Sequence, residues 1–232
     1  MLIIKEFLYD FRCLLFPDLC CACGTHLIQG EKQICIACLY DLPYTDFHRH
    51  SENTVAKLFW GRINCQAAMA MFYFRKGTKV QNLIHALKYK SQTKLGFTLG
   101  RMLGDRLHEA ENYRQADFIV PVPLHRKKER SRGYNQCKFI ADGMAGRLQI
   151  PVNTGHLVRS QATETQTKKN RYNRFKNMRS VFQVKNPEML AGKHIILVDD
   201  VITTGATLEA CAQVLLDCGV AKISIVALAF AE

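Results

Sequence analysis

The fold of this 232-residue chain is decided by one stretch, His194-Ile195-Ile196-Leu197-Val198-Asp199-Asp200-Val201-Ile202-Thr203-Thr204-Gly205-Ala206-Thr207. The continuous apolar run at its start predicts a strand that is buried on both faces of a parallel sheet. Two carboxylates follow where that strand ends, and then a short loop of small and hydroxyl residues. The next residues, from Leu208 to Cys218, predict a helix that Gly219 closes. A strand, a loop and a helix in this order present free backbone N–H groups and a positive dipole end to an anion.

The residue types in this stretch suit a sugar phosphate. The loop can surround a phosphate with amides and hydroxyls from Thr203, Thr204, Gly205, Ala206 and Thr207. The carboxylates of Asp199 and Asp200 are poor neighbours for a phosphate, but they accept hydrogen bonds from vicinal hydroxyls. A 5-phosphoribosyl group offers both features, since its phosphate fits the loop and its 2- and 3-hydroxyls fit the carboxylates. The alternative is an ordinary strand–turn–helix with a polar turn.

Length and composition indicate one substantial α/β domain with a small accessory one. Hydrophobic residues make up 48% of the chain, which supports a real core, and predicted strands alternate with predicted helices. No apolar stretch reaches the roughly 18–20 residues that span a bilayer, and charges interrupt the apolar run at the N-terminus. We therefore expect a cytoplasmic protein without membrane contact, whose cysteines are mostly reduced or metal-bound.

The net charge of +12 is unevenly distributed. Nearly all of the positive excess lies between residues 125 and 180. A basic block this concentrated suggests contact with a polyanion such as a pyrophosphate, a nucleotide or nucleic acid. The alternative is a solvated loop that binds nothing.

Two Cys-x-x-Cys knuckles near the N-terminus predict a structural zinc site. Their cysteines are Cys20, Cys23, Cys35 and Cys38, and this spacing allows four thiolates to surround one Zn²⁺ tetrahedrally. A closed set of four thiolates leaves no open position for catalysis. Buried free cysteines or a redox pair are the alternatives. Cys21 could also take the first ligand place, although only Cys20 has the two-residue spacing to Cys23.

A second strand–loop–helix unit lies in the middle of the chain. We predict a strand over Phe118–Pro123, a basic loop, and a helix over Cys137–Leu148. The loop leaves the carboxyl end of a strand, where open α/β sheets bind ligands. Its Arg126, Arg130 and Arg132 can bind phosphate oxygens bidentately. A pyrophosphate contact here would complement the phosphate loop.

The remaining patterns predict the other elements and one boundary. We expect helices at Ile3–Phe16, Lys79–Tyr89 and Leu95–Leu107, and strands at Ala67–Phe74, Val181–Val184 and Ile223–Phe230. The glycines at 96, 100 and 104 suggest close helix packing. Lys88 lies in a last helical turn, where a dipole match and a ligand role are both open. The polar, basic excursion over residues 156–182 is either disordered or a lid, and its part from Arg159 to Asn177 would close over the site. We place a domain boundary near residue 60, between residues 1–60 and 61–232.

The signature stretch resembles the phosphoribosyl pyrophosphate (PRPP) motif of type I phosphoribosyltransferases, and it lacks the Gly-Lys-Thr/Ser of a Walker loop. Over nearly its whole length the chain also resembles the ComF family (competence protein F, including GntX-type proteins). The residues that carry this resemblance are the four knuckle cysteines, Leu87-Lys88-Tyr89, Val120-Pro121-Val122-Pro123-Leu124-His125, Arg132-Gly133-Tyr134-Asn135-Gln136, Arg159, Gln166, Arg174, Asn177, and Val198-Asp199-Asp200 to Thr207. The resemblance implies a zinc-ribbon-like domain on a phosphoribosyltransferase-type domain, and a link to single-stranded DNA during natural transformation.

Together these observations lead to hypotheses from three classes. If the chain is an enzyme, it would displace pyrophosphate from C1 of PRPP, with Asp199 and Asp200 on the ribose. The pyrophosphate side and the lid would comprise Pro123, Leu124, His125, Arg126, Arg132, Arg159, Arg174 and Lys88, and Mg²⁺ would accompany PRPP. The second hypothesis is a non-catalytic binder of PRPP or a nucleotide that also holds single-stranded DNA, with Tyr134, Tyr172 or Phe175 as stacking residues. The third is a zinc-stapled scaffold with competence or helicase proteins as partners.

Overall fold

The computed structural model describes residues 17–159 and 181–231. Within these residues, four parallel strands form one sheet in the order β1-β6-β5-β2. Their bounds are β1 Ala67–Phe74, β2 Phe118–Pro121, β5 His194–Ile202 and β6 Lys222–Ala231. Two short strands, β3 Leu157–Arg159 and β4 Phe182–Val184, pair antiparallel beside the sheet. The strands that the sequence predicts at 67–74, 118–123, 181–184 and 223–230 are thus confirmed, with ends that shift by a few residues.

Helices connect the strands and lie against the sheet. Their bounds are α1 Ile36–Asp41, α2 Thr54–Lys57, α3 Lys79–Tyr89, α4 Thr93–His108, α5 Glu111–Arg114, α6 Arg126–Arg132, α7 Gln136–Leu148 and α8 Ala206–Asp217. Short 3-10 turns occupy Phe47–Arg49 and Pro187–Met189. In the described part of the chain, no helix combines the length and the apolar character that a membrane span requires.

The central strands are apolar on both faces because a hydrophobic core covers each face of the sheet. Ile196 and Val198 of β5 point into a core that α3, α4 and α7 complete. Ile195 and Leu197 alternate with them and point into the second core, which includes α8. This double burial explains why β5 has a continuous apolar run rather than an alternating pattern.

Helices α4 and α7 touch backbone to backbone through glycines. A Cβ added to Gly100 would lie 2.1 Å from the carbonyl oxygen of Ile140, and one added to Gly143 would lie 2.2 Å from that of Phe97. No side chain fits into such a gap. The close helix packing that the glycine spacing predicts is confirmed.

The structure differs from the sequence-based expectation in three segments. Residues 126–132 form the helix α6 instead of an open loop, because the His125 side chain caps its first turn and Gly133 ends it with φ of 80°. Residues 41–66, whose polar composition predicts no more than a connection, contain α2 and the fully buried Phe59. The predicted excursion over 156–182 begins with the strand β3, which the sequence did not predict. The predicted N-terminal helix, Arg174 and residues 160–180 lie outside the described residues. The domain boundary near residue 60 stays a prediction.

Candidate functional site

The two acidic residues of the signature lie at the carboxyl edge of the sheet. Strand β5 pairs with β2 only as far as Val198, opposite Pro121, but it continues beside β6 to Ile202. Asp199 and Asp200 are therefore residues of β5 itself and do not follow its end. They lie just beyond the level at which the neighbouring strand β2 ends. This is the edge at which parallel α/β sheets bind ligands.

Asp200 is held in place by side chains from two other elements. Its carboxylate is nearly buried, with Oδ1 2.9 Å from Lys88 Nζ and Oδ2 2.6 Å from Gln136 Nε2. Arg132 in turn donates a 2.8 Å hydrogen bond to Gln136 Oε1. Lys88 thus contacts Asp200 directly and Arg132 reaches it only through Gln136, while the pyrophosphate-side roles of both residues stay predictions. Gln136 completes this network.

Asp199 lies beside Asp200 and is half-buried. Its Oδ1 accepts a hydrogen bond from the Asp200 backbone N–H at 2.8 Å and contacts Cys137 Sγ at 3.4 Å. Burial, and next the neighbouring Asp200 charge, raise the pKa of Asp199 to about 7. Burial raises the pKa of Cys137 well above its ordinary value, so this residue stays a thiol that donates to Asp199. The pair thus holds less than two full negative charges near neutral pH.

The segment that precedes β1 packs against the phosphate loop, residues 203–207. Gly205 adopts φ of 75°, and a Cβ there would meet the Phe59 ring at 3.0 Å. Arg62 donates a 3.1 Å hydrogen bond to the Thr204 carbonyl and forms an ion pair with the buried Glu209. The loop carbonyl is thereby turned towards Arg62, while Thr203 and Thr204 stay exposed at the start of α8. The Ala206 N–H at the start of α8 is held by the Thr204 hydroxyl at 3.4 Å, and the exposed side of the loop presents this helix N-terminus, which favours an anion, to solvent.

Four of the predicted pyrophosphate-side and lid residues line one cavity of about 570 Å³. They are Pro123, Leu124, Arg126 and Arg159. The cavity lies between the end of β2 and the β3–β4 hairpin, and the acid pair and the phosphate loop are not among its walls. Arg159 stacks over Phe182 at 5.3 Å, and its buried Nε has no hydrogen-bond partner among the residues that the structure describes. The His125 side chain caps the first turn of α6, because its Nδ1 accepts a hydrogen bond from the Lys127 N–H at 3.2 Å.

The four knuckle cysteines form a cluster that fits a zinc ion. Their sulfurs all lie within 4.8 Å of one another, and Cys23 Sγ and Cys35 Sγ are 3.8 Å apart. A tetrahedron with Zn–S bonds of about 2.3 Å has edges of roughly 3.8 Å. Backbone N–H groups also point at two of the sulfurs, from Cys35 to Cys20 and from Cys38 to Cys35. A hydrogen bond with Thr25 lowers the pKa of Cys23 to about 6, which favours the thiolate that zinc binds. Cys21 lies outside this cluster.

Several residues that contact the acid pair or the phosphate loop were not predicted from the sequence to do so. Gln136 and Cys137 open α7, and their contacts with the acid pair depend on a separation of more than sixty residues. Arg62 and Phe59 belong to a segment without a motif. Glu209 indicates that such a partner exists, because a carboxylate on the buried face of α8 needs a cation nearby. Tyr134 is not free to stack, since its hydroxyl donates to the Leu87 carbonyl and its ring packs on Phe139.

Comparison with known proteins matches this geometry to a known domain. The phosphoribosyl transferase domain model matches residues 135–232. The chain is 29% identical to DNA utilization protein YhgH of Escherichia coli (strain K12), over 91% of this chain and 96% of that protein. It is 31% identical to competence protein F of Haemophilus influenzae, over 63% of this chain and 66% of that protein. Glutamine PRPP amidotransferase from B. subtilis aligns over 63% of this chain, with 17% identity and a TM-score of 0.45, and this chain covers 30% of its length.

The parallel sheet, the signature strand–loop–helix and the matched domain together define a phosphoribosyltransferase-like protein. The proteins to which the chain is similar include competence protein F and competence protein ComFC. These similarities support a ComF-family, phosphoribosyltransferase-like protein.

Proposed function

We propose that this protein binds PRPP or a closely related sugar phosphate at the carboxyl edge of its sheet. The 5-phosphate would lie on the loop Thr203–Thr207, and the ribose hydroxyls would meet Asp199 and Asp200. One observation carries the proposal: Asp200 is held by Lys88 and Gln136 directly before a helix N-terminus that has a glycine in the left-handed region. Such a site offers acceptors to hydroxyls and donors to a phosphate within one short segment.

The arrangement also supports transfer of the phosphoribosyl group. Departure of pyrophosphate from C1 leaves an oxocarbenium-like centre, which needs positioning, shielding from water and nearby negative charge. Asp199 and Asp200 would supply that charge beside the ribose. Lys88, Arg132 and the residues Pro123–Arg126 would receive the leaving pyrophosphate, and Mg²⁺ bound to it would neutralise part of its charge. Arg159, at the base of the β3–β4 hairpin, would join a lid with Arg174.

We further propose a role in DNA uptake or DNA use. The names of the relatives, DNA utilization protein and competence protein, support this part of the proposal. A second candidate function follows from the same relatives: a protein that binds PRPP without turnover and acts as a single-stranded DNA-binding competence factor. Competence or helicase proteins would be its partners, and a cluster of reduced cysteines would suit the cytoplasm.

Calorimetric titration of the zinc-loaded protein with PRPP and Mg²⁺ tests the sugar-phosphate site. The matched variant is Asp199→Asn with Asp200→Asn, which removes charge and keeps shape. We expect saturable binding by the natural protein and at least a tenfold loss in the double variant. Asp18→Asn, an exposed carboxylate far along the chain, serves as the control. Equal binding by all three proteins, or none by the natural one, would refute the proposal.

Release of pyrophosphate separates the two candidate functions. A phosphoribosyltransferase releases pyrophosphate when PRPP meets its acceptor, and this release should disappear in the Asp199→Asn/Asp200→Asn variant. Pools of nucleobases, nucleosides and oligonucleotides are the acceptors to screen. If PRPP binds tightly and no pool elicits release, the non-catalytic candidate is supported.

A further inference from the structure

A second cavity, of about 360 Å³, opens next to the acid pair on the other side of α6. We call it the basic–aromatic cavity. Its walls are Tyr89 and Ser91 at the end of α3, Lys127, Lys128 and Ser131 on α6, and the flanking Lys88 and Arg132. No acidic side chain of the described residues is among them. The surface therefore attracts anions.

Side chains from helix α6 line both cavities. Lys127, Lys128 and Ser131 follow the spacing of one helical face and line the basic–aromatic cavity. Arg126 and Glu129 lie on the other face and line the larger cavity. Within residues 17–159 and 181–231, neither Lys127 nor Lys128 forms an ion pair, and both are exposed. Their charges are thus available to an external ligand.

Tyr89 gives the cavity an aromatic face that the core does not use. The side chain is 66% exposed, although large aromatic rings are usually buried. The His85 ring lies behind it at 4.9 Å, and the Arg132 guanidinium lies 5.5 Å from its centroid. The ring is therefore braced by two neighbours, while most of the side chain stays exposed to solvent. A braced aromatic ring beside cations is the arrangement with which proteins stack unpaired bases and follow their phosphates.

We propose that the basic–aromatic cavity binds single-stranded nucleic acid, with a base on Tyr89 and the adjoining phosphates on Lys127 and Lys128. The inference rests on the DNA part of the proposed function and assigns that contact to a place. Lys88 connects the two sites, because the same residue borders the cavity and contacts Asp200 at 2.9 Å. A bound strand would thus end beside the sugar-phosphate site.

Fluorescence anisotropy with a short labelled oligodeoxythymidylate tests the proposal. We expect Tyr89→Ala to weaken binding by about tenfold, as loss of one base stack does, while Tyr89→Phe retains it. The variant Lys127→Ala/Lys128→Ala should weaken binding and lower the slope of log K against log salt by about 1 to 2. None of these residues holds the sugar phosphate, so PRPP titration of each variant should match that of the natural protein.

Two matched controls locate the contact. Tyr40 on α1 is 87% exposed and belongs to the cysteine knuckle, so Tyr40→Ala removes an equivalent ring from a different surface. Lys32→Ala/Lys76→Ala removes the same charge from exposed lysines elsewhere. The proposal is overturned if Tyr40→Ala weakens binding and Tyr89→Ala does not, or if both lysine variants lose affinity equally.

Other outcomes are also decisive. No binding of any oligonucleotide by the natural protein would overturn the proposal and leave the cavity to an acidic protein partner. Equal competition by duplex and single strand would refute stacking on Tyr89. If the Tyr89 and lysine variants lost PRPP binding together with DNA, the cavity would belong to the sugar-phosphate site. Loss of PRPP binding in the Asp199→Asn/Asp200→Asn variant with DNA binding intact would show that the two sites are separate.

Discussion

At the scale of single residues, the acid pair makes stability depend on pH. The pKa of Asp199 is raised to about 7 in the folded protein, chiefly by burial, whereas an unfolded Asp titrates near 3.9. The folded state therefore holds a proton that the unfolded state has lost, and stability from this group falls as pH rises through 7. Between about pH 6 and pH 8, we expect the natural protein to lose roughly 1 kcal/mol relative to Asp199→Asn. Urea denaturation at both pH values measures this.

The control for this prediction is Asp18→Asn, an exposed residue, whose stability should track the natural protein at both pH values. A constant difference between the natural protein and Asp199→Asn from pH 6 to pH 8 would contradict the raised pKa of Asp199. The chosen range stays above the acidic pH at which zinc thiolates are protonated.

A second residue-scale prediction concerns the ion pair under the phosphate loop. Glu209 is nearly buried and its partner is Arg62, so Arg62→Ala would leave a buried charge without a cation. We expect a loss of about 3 kcal/mol in unfolding free energy, together with weaker PRPP binding because the Thr204 carbonyl is released. Thermal and urea denaturation measure the first effect, and calorimetry measures the second.

Two further variants make the ion-pair prediction specific. Arg62→Ala combined with Glu209→Gln should cost less than Arg62→Ala alone, since no charge remains buried. Lys79→Ala breaks the exposed pair with Asp41 and should change stability far less than Arg62→Ala does. Equal losses from Arg62→Ala and Lys79→Ala would show that burial of Glu209 has no energetic role.

At the scale of elements, the contact between α4 and α7 depends on its glycines. A methyl group at Gly100 or Gly143 would overlap a backbone carbonyl of the facing helix, and backbone cannot move aside as a flexible side chain can. We expect Gly100→Ala and Gly143→Ala each to cost about 2 kcal/mol or more. Gly146→Ala, on α7 with open space around it, should lie within about 1 kcal/mol of neutral. If all three variants were equally stable, the close helix contact would be wrong.

The elements themselves could be predicted where one sequence period dominates. The apolar run of β5 and the helical spacing of α3 correspond to elements with nearly the expected ends. The helix α6 could not be predicted in this way, because it has no apolar face and is defined by its His125 cap and Gly133. In the site, residues next to the signature were predictable from their chemistry. Gln136 and Arg62 were not, because their partners are distant in the sequence and no local period encodes such a contact.

At the scale of the whole molecule, the cysteine knuckles and the phosphoribosyltransferase-like sheet are joined through helices α3 and α4. Asn82 on α3 donates to the Ala22 carbonyl at 2.8 Å, and Thr98 on α4 contacts Gln33 at 2.8 Å. The buried knuckle residues belong to the same hydrophobic core as α3 and α4. Because Lys88 is in the last turn of α3 and reaches Asp200, the cysteine cluster supports the helix that supplies a residue to the proposed sugar-phosphate site.

Removal of zinc should therefore weaken both the fold and the sugar-phosphate site. Cys35→Ser deletes a ligand from the four-sulfur cluster, so we expect loss of the single bound zinc and a fall in Tm of roughly 10 °C or more. The matched control is Cys21→Ser, which lies beside the cluster but outside it and should retain zinc, Tm and PRPP affinity. Metal analysis, thermal denaturation and PRPP titration of the two variants provide the comparison. Zinc loss from Cys21→Ser with retention in Cys20→Ser would shift the ligand assignment by one residue. PRPP affinity that survives chelation would show that α3 holds Lys88 without help from the knuckles.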